Sequence, residues 1–130
     1  MKIKSKIIIL TLSIIMILPL LAFSASAATA RWSIIRSAVA LCEPQNDVYY
    51  TIVTATSDTT KLEVDLNLYE KGIFSNYTKV SSVSRTIYSD HCTITNTYDC
   101  STLKNYKAEV TVTATTASGQ KETITVSQEY

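Results

Sequence analysis

The stretch Lys61-Leu62-Glu63-Val64-Asp65-Leu66-Asn67-Leu68-Tyr69-Glu70-Lys71 alternates apolar and polar side chains. Leu62, Val64, Leu66 and Leu68 share one phase; Lys61, Glu63, Asp65 and Asn67 share the other. Successive residues of a strand point to opposite faces, so the four aliphatics reach a core while the charges reach water. Wound as a helix, the segment takes Val64 and Leu68 off the face shared by Leu62, Leu66 and Tyr69. It is therefore predicted as a central strand around which the rest of the chain pairs.

A second alternation lies downstream. Tyr106, Ala108, Val110, Val112 and Ala114 face one way, and Lys107, Glu109, Thr111 and Thr113 the other. Thr116 to Gln120 reads as a hairpin turn with Gly119 available for a positive φ, leading into a last strand over Glu122–Gln128 with Ile124 and Val126 inward. Upstream, Trp32 to Cys42 carries apolar residues in both phases, as in a first strand that kinks or changes partner. Glu43 to Asp47 is a turn cluster in which Pro44 ends that strand. Val48 to Thr56 is a second strand, and Ser57 to Thr60 turns into the central one. Gly72 to Asn76 closes a hairpin onto Tyr77–Val83, a weaker strand with the look of an edge; Arg85 to Asp90 reads as a short strand or a loop. Cys92 to Tyr98 is a further strand. About seven short strands at regular spacing predict an all-β chain, an antiparallel immunoglobulin/fibronectin-III-like sandwich. Leu103-x-x-Tyr106 resembles the tyrosine corner of such folds, where the phenol tethers the preceding loop; the alternative is a plain core aromatic.

The first 27 residues stand apart from this pattern. Lys2, Lys4 and Lys6 precede an apolar run over Ile7–Phe23, and Ala25-Ser26-Ala27 is a small-x-small site. That order is a secretory signal peptide, expected to be helical and cleaved after Ala27, with Ala30 as a second site. An uncleaved anchor fits less well, because the run has 17 residues and is interrupted by Pro19. No Cys follows the run as a lipid-anchored precursor requires, and the polar end Val126–Tyr130 carries no wall-sorting signal. A released, extracellular product is expected. Cleavage leaves residues 28–130, enough for one domain with a single core. Losing three lysines leaves nine basic side chains against 11 acids, a formal charge of −2. Scattered, near-neutral charge gives no electrostatic case for nucleic acid or an anionic membrane.

The layout resembles a family of short, uncharacterised secreted proteins of Gram-positive bacteria, in which a signal peptide precedes one fibronectin-III- or immunoglobulin-like sandwich. The residues that carry the likeness are Thr59-Thr60-x-Leu62-x-Val64-x-Leu66-x-Leu68 with Tyr69-Glu70-Lys71-Gly72, then Tyr106-x-Ala108-x-Val110-x-Val112 and Gly119-x-x-Glu122. Where such proteins often carry Trp after the first hairpin, this chain has Tyr77, and its cysteines fall outside the pattern. The resemblance implies a fold and secretion, and no activity.

Cys42, Cys92 and Cys100 leave one thiol over if a disulfide forms, which is the default in an exported protein. An extended Cys92–Cys100 segment puts its ends roughly 25 Å apart, against the ~6 Å between Cα atoms that a disulfide needs. If the first strand pairs with the second and the second with the strand at Cys92, Cys42 comes beside Cys100. Cys92 then lies at the opposite end as a free thiol, available to link two molecules. The alternative is three reduced, partly buried thiols.

Asp90-His91-Cys92 invites a Cys/His nucleophile, but adjacent strand residues face opposite ways and His91 then cannot serve Cys92. The cysteines and the lone histidine lack the paired spacing of a zinc site. Glu63 and Asp65 share a face as a glycosidase pair would, yet alternation already explains them as a solvated outer face. Tyr49 and Tyr50 are strand neighbours and cannot both face the core. One of them, with Tyr77 and Tyr88, is a candidate exposed aromatic contact for glycan or protein. Asn76-Tyr77-Thr78 is a sequon, meaningful in a host that glycosylates. The expected product is a secreted, non-catalytic interaction module, monomeric or Cys92-linked, with no cofactor, no metal and no nucleic acid. Its partner is an extracellular protein or glycan. The rival class is a small antimicrobial or toxin-like effector.

Overall fold

The computed structural model describes residues 32–130, so the signal peptide expected over 1–27 and the cleavage expected at Ala27 or Ala30 lie outside the described residues. Among the described residues seven strands form: β1 (Ile35–Glu43), β2 (Val48–Ala55), β3 (Thr59–Lys71), β4 (Thr78–Ile87), β5 (His91–Thr97), β6 (Asn105–Thr116) and β7 (Lys121–Glu129). They build two antiparallel sheets, β1-β2-β5 and β4-β3-β6-β7, whose inner faces share one core. This is the expected immunoglobulin/fibronectin-III-like sandwich. In the constant-type immunoglobulin layout the fourth strand joins the sheet of the first; here β4 pairs with β3, dividing the strands three and four.

The two alternating stretches are the paired centre of the larger sheet. Leu62 lies opposite Ala114, Val64 opposite Val112, Leu66 opposite Val110 and Leu68 opposite Ala108. All eight side chains are buried. Larger β3 residues meet smaller β6 residues at both ends of the run, which fills the layer without overpacking. Each fully buried aliphatic contributes about 1.5–3 kcal/mol of transfer free energy, so this pair of strands is the main source of cohesion. Ala38, Ala40 and Cys42 of β1, Tyr49, Val53 and Ala55 of β2, and Ile94 of β5 close the core from the other sheet. Thr51 is fully buried, and its hydroxyl donates to the Val39 carbonyl at 2.7 Å, so burial leaves no orphan there.

The two-phase apolar pattern at the start of the chain has a structural cause. A bulge between Ile35 and Ser37 shifts the register of β1, so Ile35 is buried in one phase and Ala38, Ala40 and Cys42 in the other. The turn after β1 is a 3-10 helix over Pro44–Asn46, ended by Asp47 in the left-handed region at φ 54°. Gly119 takes φ 86° in the β6–β7 hairpin. β4 runs further than its sequence suggests, for Arg85–Ile87 continue it opposite Leu62–Val64 instead of forming a separate element.

Candidate contact site at the β3–β4 end

Past Leu68 the alternation of β3 continues with Tyr69 and Lys71 outward, while Glu70 remains on the inner side with its carboxylate mostly buried. The register sets Tyr69 opposite Lys107 and Lys71 opposite Asn105, and β7 adds Glu129 opposite Lys107. Tyr77, the residue before β4, lies on the same outer corner. Lys71 Nζ stands 4.8 Å from the centroid of its ring and Lys107 Nζ 4.9 Å, with Lys107 also 4.7 Å from the ring of Tyr69. Each ammonium is held by the negative π face of a tyrosine. Burial first, and the Glu129 carboxylate second, push the Tyr77 phenol above its usual pKa, so it is a neutral hydroxyl at neutral pH.

Lys71, Tyr77, Asn105, Glu129 and Tyr130 line an open groove of about 270 Å³. Sites for drug-sized ligands run from roughly 300 Å³ upward, so this groove suits one sugar ring or one side chain. Its lining offers ammonium and amide donors, a carboxylate acceptor, phenols and an aromatic face. A bulge in the β3–β4 pairing between Leu68 and Tyr69 re-aims the strand beside it. The adjoining β3–β4 loop projects Ile73 and Phe74, both largely or wholly exposed, and the β5–β6 loop projects Leu103.

Beneath this corner the inner face is fixed by a hydrogen-bonded cluster. Glu70 accepts from Lys104 Nζ at 2.7 Å, Tyr106 OH at 3.1 Å and Tyr98 OH at 3.4 Å. The Lys104 bond above all, with the two phenols, outweighs burial and holds the Glu70 carboxyl below the usual carboxylate range. Tyr106 OH accepts from Ser101 N at 2.5 Å, so the phenol tethers the preceding loop as a tyrosine corner does, while its ring is fully buried.

The predicted tyrosines do not form one platform. Tyr49 is fully buried, which removes it from the exposed set: it takes the inward phase of β2, and its hydroxyl meets Ser81 Oγ at 2.6 Å and receives Asn96 Nδ2 at 2.9 Å. Tyr50 faces outward on the other sheet and donates to Glu43 Oε1 at 3.1 Å. Tyr88 is exposed beyond the far end of β4, about 35 Å of strand from Tyr77. Lys71, Lys107, Asn105, Glu129 and Tyr130 were absent from the sequence-derived set. The outward phase of the two alternations marks Lys71 and Lys107, but their convergence depends on register.

The other candidates disperse. His91 is exposed and hydrogen-bonds Asp90 Oδ1 through Nδ1 at 2.7 Å, whereas neighbouring Cys92 packs against the core and burial raises its thiol pKa. Half-buried Cys92 and outward His91 face opposite sides of the strand, so the histidine is not placed to act as its base. Glu63 is exposed beside Lys61, and Asp65 accepts from Ser84 Oγ. Among the described residues no three His, Cys, Asp or Glu side chains are grouped to hold a metal ion. Comparison with known proteins finds no matching family model, no matching curated protein and no matching solved structure.

Proposed function

We propose that this chain is exported and acts as a non-catalytic interaction module of the cell envelope or surrounding medium. The contact is made by the groove around Tyr77. The leader-like first 27 residues support export, as does the resemblance to small secreted sandwiches of Gram-positive bacteria. The observation that carries the contact is the convergence of Lys71, Lys107, Tyr77, Asn105, Glu129 and Tyr130 on one corner of the larger sheet. Two ammonium groups with hydroxyl and amide partners match a ligand bearing acidic and hydroxyl groups. An acidic glycan of wall or host is the closest fit, and an acidic segment of an extracellular protein is the next.

The test measures retention of the exported protein on purified Gram-positive wall polymer and on immobilised acidic oligosaccharides. Tyr77→Ala and Lys71→Ala are expected to weaken binding at least tenfold while Tyr88→Ala, at the far end, leaves it unchanged. Equal binding by all three variants overturns the assignment of the site. A second reading is favoured by Ile73 and Phe74, exposed beside lysines as in an effector that touches membranes. Growth inhibition of neighbouring strains that is lost in Phe74→Ser, without polymer binding, would replace the module with that effector.

A further inference from the structure

Cys42 and Cys100, distant in sequence, lie at the same end of the sandwich, though not within disulfide distance of each other. The β1–β2 register continues through Cys42 opposite Tyr49 and Glu43 opposite Val48, and β2–β5 pairing continues to Val48 opposite Thr97. Asp47, at the end of the connecting 3-10 turn, then gathers the chain leaving β5. Its carbonyl accepts from Tyr98 N at 3.0 Å and its Oδ1 from Cys100 N at 2.9 Å. Cys42 points into the core, and Cys100 packs against that core from the loop above it. The two thiols are unbridged, and each influences the ionisation of the other. Cys92 lies opposite Val53, four residues along β2 from the Cys42 level.

We propose that Cys42 and Cys100 are a cystine site, closed when the protein meets an oxidising disulfide such as glutathione disulfide or a thiol–disulfide oxidoreductase. Burial raises both thiols, Cys42 to about 12, and Cys100 attacks first because it is the more accessible of the pair. The Cys100 thiolate bonds to one sulfur of the oxidant and expels the other as a thiolate. Cys42 loses its proton and attacks the Cys100 sulfur of that mixed disulfide, expelling the second oxidant thiolate. In sum two protein thiols give up two protons and two electrons, and one oxidant disulfide becomes two thiols. The adjustment needed falls on residues 98–104, which lie outside any strand. Closure ties the edge strand of one sheet to the loop that supplies Lys104 to Glu70.

The Cys42–Cys100 bridge does not depend on export and is tested without it. The protein is reduced, freed of reductant, exposed to glutathione disulfide, blocked with an alkylating agent and weighed intact, then mapped by protease digestion. The expected result is one internal bridge between the Cys42 and Cys100 peptides, with Cys92 blocked or glutathionylated. Oxidation should raise Tm by about 10 °C or more, and the rise should vanish in Cys100→Ser. Glutathione on all three cysteines without a bridge overturns the proposal. So does a bridge that includes Cys92, within one chain or between two.

Discussion

Replacing Glu122 tests how β1 is held to the opposite sheet. Glu122 is the second residue of β7, and its carboxylate reaches across to the start of the first strand. Oε1 accepts from Ser33 N at 2.8 Å and Ser33 Oγ at 3.2 Å; Oε2 accepts from Ile34 N at 3.0 Å and Ile35 N at 2.7 Å. The Ser33 bonds are exposed, so water replaces them at small cost. The Ile34 and Ile35 amides are part-buried, and bonds to a charged acceptor contribute about 1.5 kcal/mol or more each. Glu122→Ala should therefore cost about 2–3 kcal/mol, and in a domain of this size Tm should fall by roughly 10–20 °C. Glu122→Gln keeps one carbonyl oxygen and should lose about half as much. The pH dependence separates charge from shape. Burial alone would raise the Glu122 pKa, but the amides of Ile35, Ser33 and Ile34 outweigh it and the folded value is lowered. A lowered carboxyl contributes stability that is complete above its unfolded pKa and is lost as pH falls through the folded one. The gap between wild type and Glu122→Gln should thus be full at pH 7 and shrink below about pH 4. Calorimetry from pH 7 to pH 3 measures both. A Glu122→Ala Tm within about 3 °C of wild type would refute the clamp, since two amides are too many to lose so cheaply. A gap unchanged with pH would refute the role of charge.

Three further outcomes follow from the packing. Leu66→Ala empties the centre of the β3–β6 layer, where Leu66 is fully buried opposite Val110, and should cost about 3–4 kcal/mol by urea unfolding. Tyr106→Phe removes the hydroxyl that accepts from Ser101 and donates to Glu70; about 1–2 kcal/mol should be lost, with faster amide exchange at Ser101. Gly119→Ala meets no neighbour within 4 Å, so its cost isolates backbone strain at φ 86° and should be about 1 kcal/mol by thermal melt.

Much of the fold was legible because β3 and β6 are each covered by a core on one side and water on the other, and alternation reports that directly. β1 was legible only as an anomaly: apolar residues in both phases predicted a kink, and the bulge at Ile35–Ser37 supplies it. β2 misleads. Its outward phase holds Val48, Tyr50 and Ile52, more apolar than the inward Thr51, and Ile52 sits opposite equally exposed Val39. Thr51 goes inward because the Val39 carbonyl satisfies it, and Tyr49 because Ser81 and Asn96 do. None of those partners is near in sequence. β4 was underestimated for a related reason. Polar residues from Ser81 to Thr86 have little strand signal of their own, but the long β3 template pairs them as far as Ile87. At the candidate site the lysines were visible as outward residues, whereas their meeting over Tyr77 depends on a register that no local pattern encodes.

The end of the sandwich that carries the groove is also where independent tethers accumulate, and the geometry of β3 explains why they matter to it. Glu70 and Lys71 are consecutive, so they point to opposite faces: the first is gripped by Lys104, Tyr98 and Tyr106, and the second presents its ammonium to Tyr77. A flexible lysine is positioned only as well as the backbone that bears it. Here that backbone is paired on one side by Asn105 and pinned from beneath by the Glu70 carboxylate. Through Tyr98 N and Cys100 N, Asp47 holds the loop that delivers Lys104, so it acts on the groove at one remove. Damage to the inner cluster should therefore loosen ligand contact through position, leaving the groove's own chemistry unchanged. That separates it from Lys71→Ala, which removes the contacting charge while the backbone stays in place.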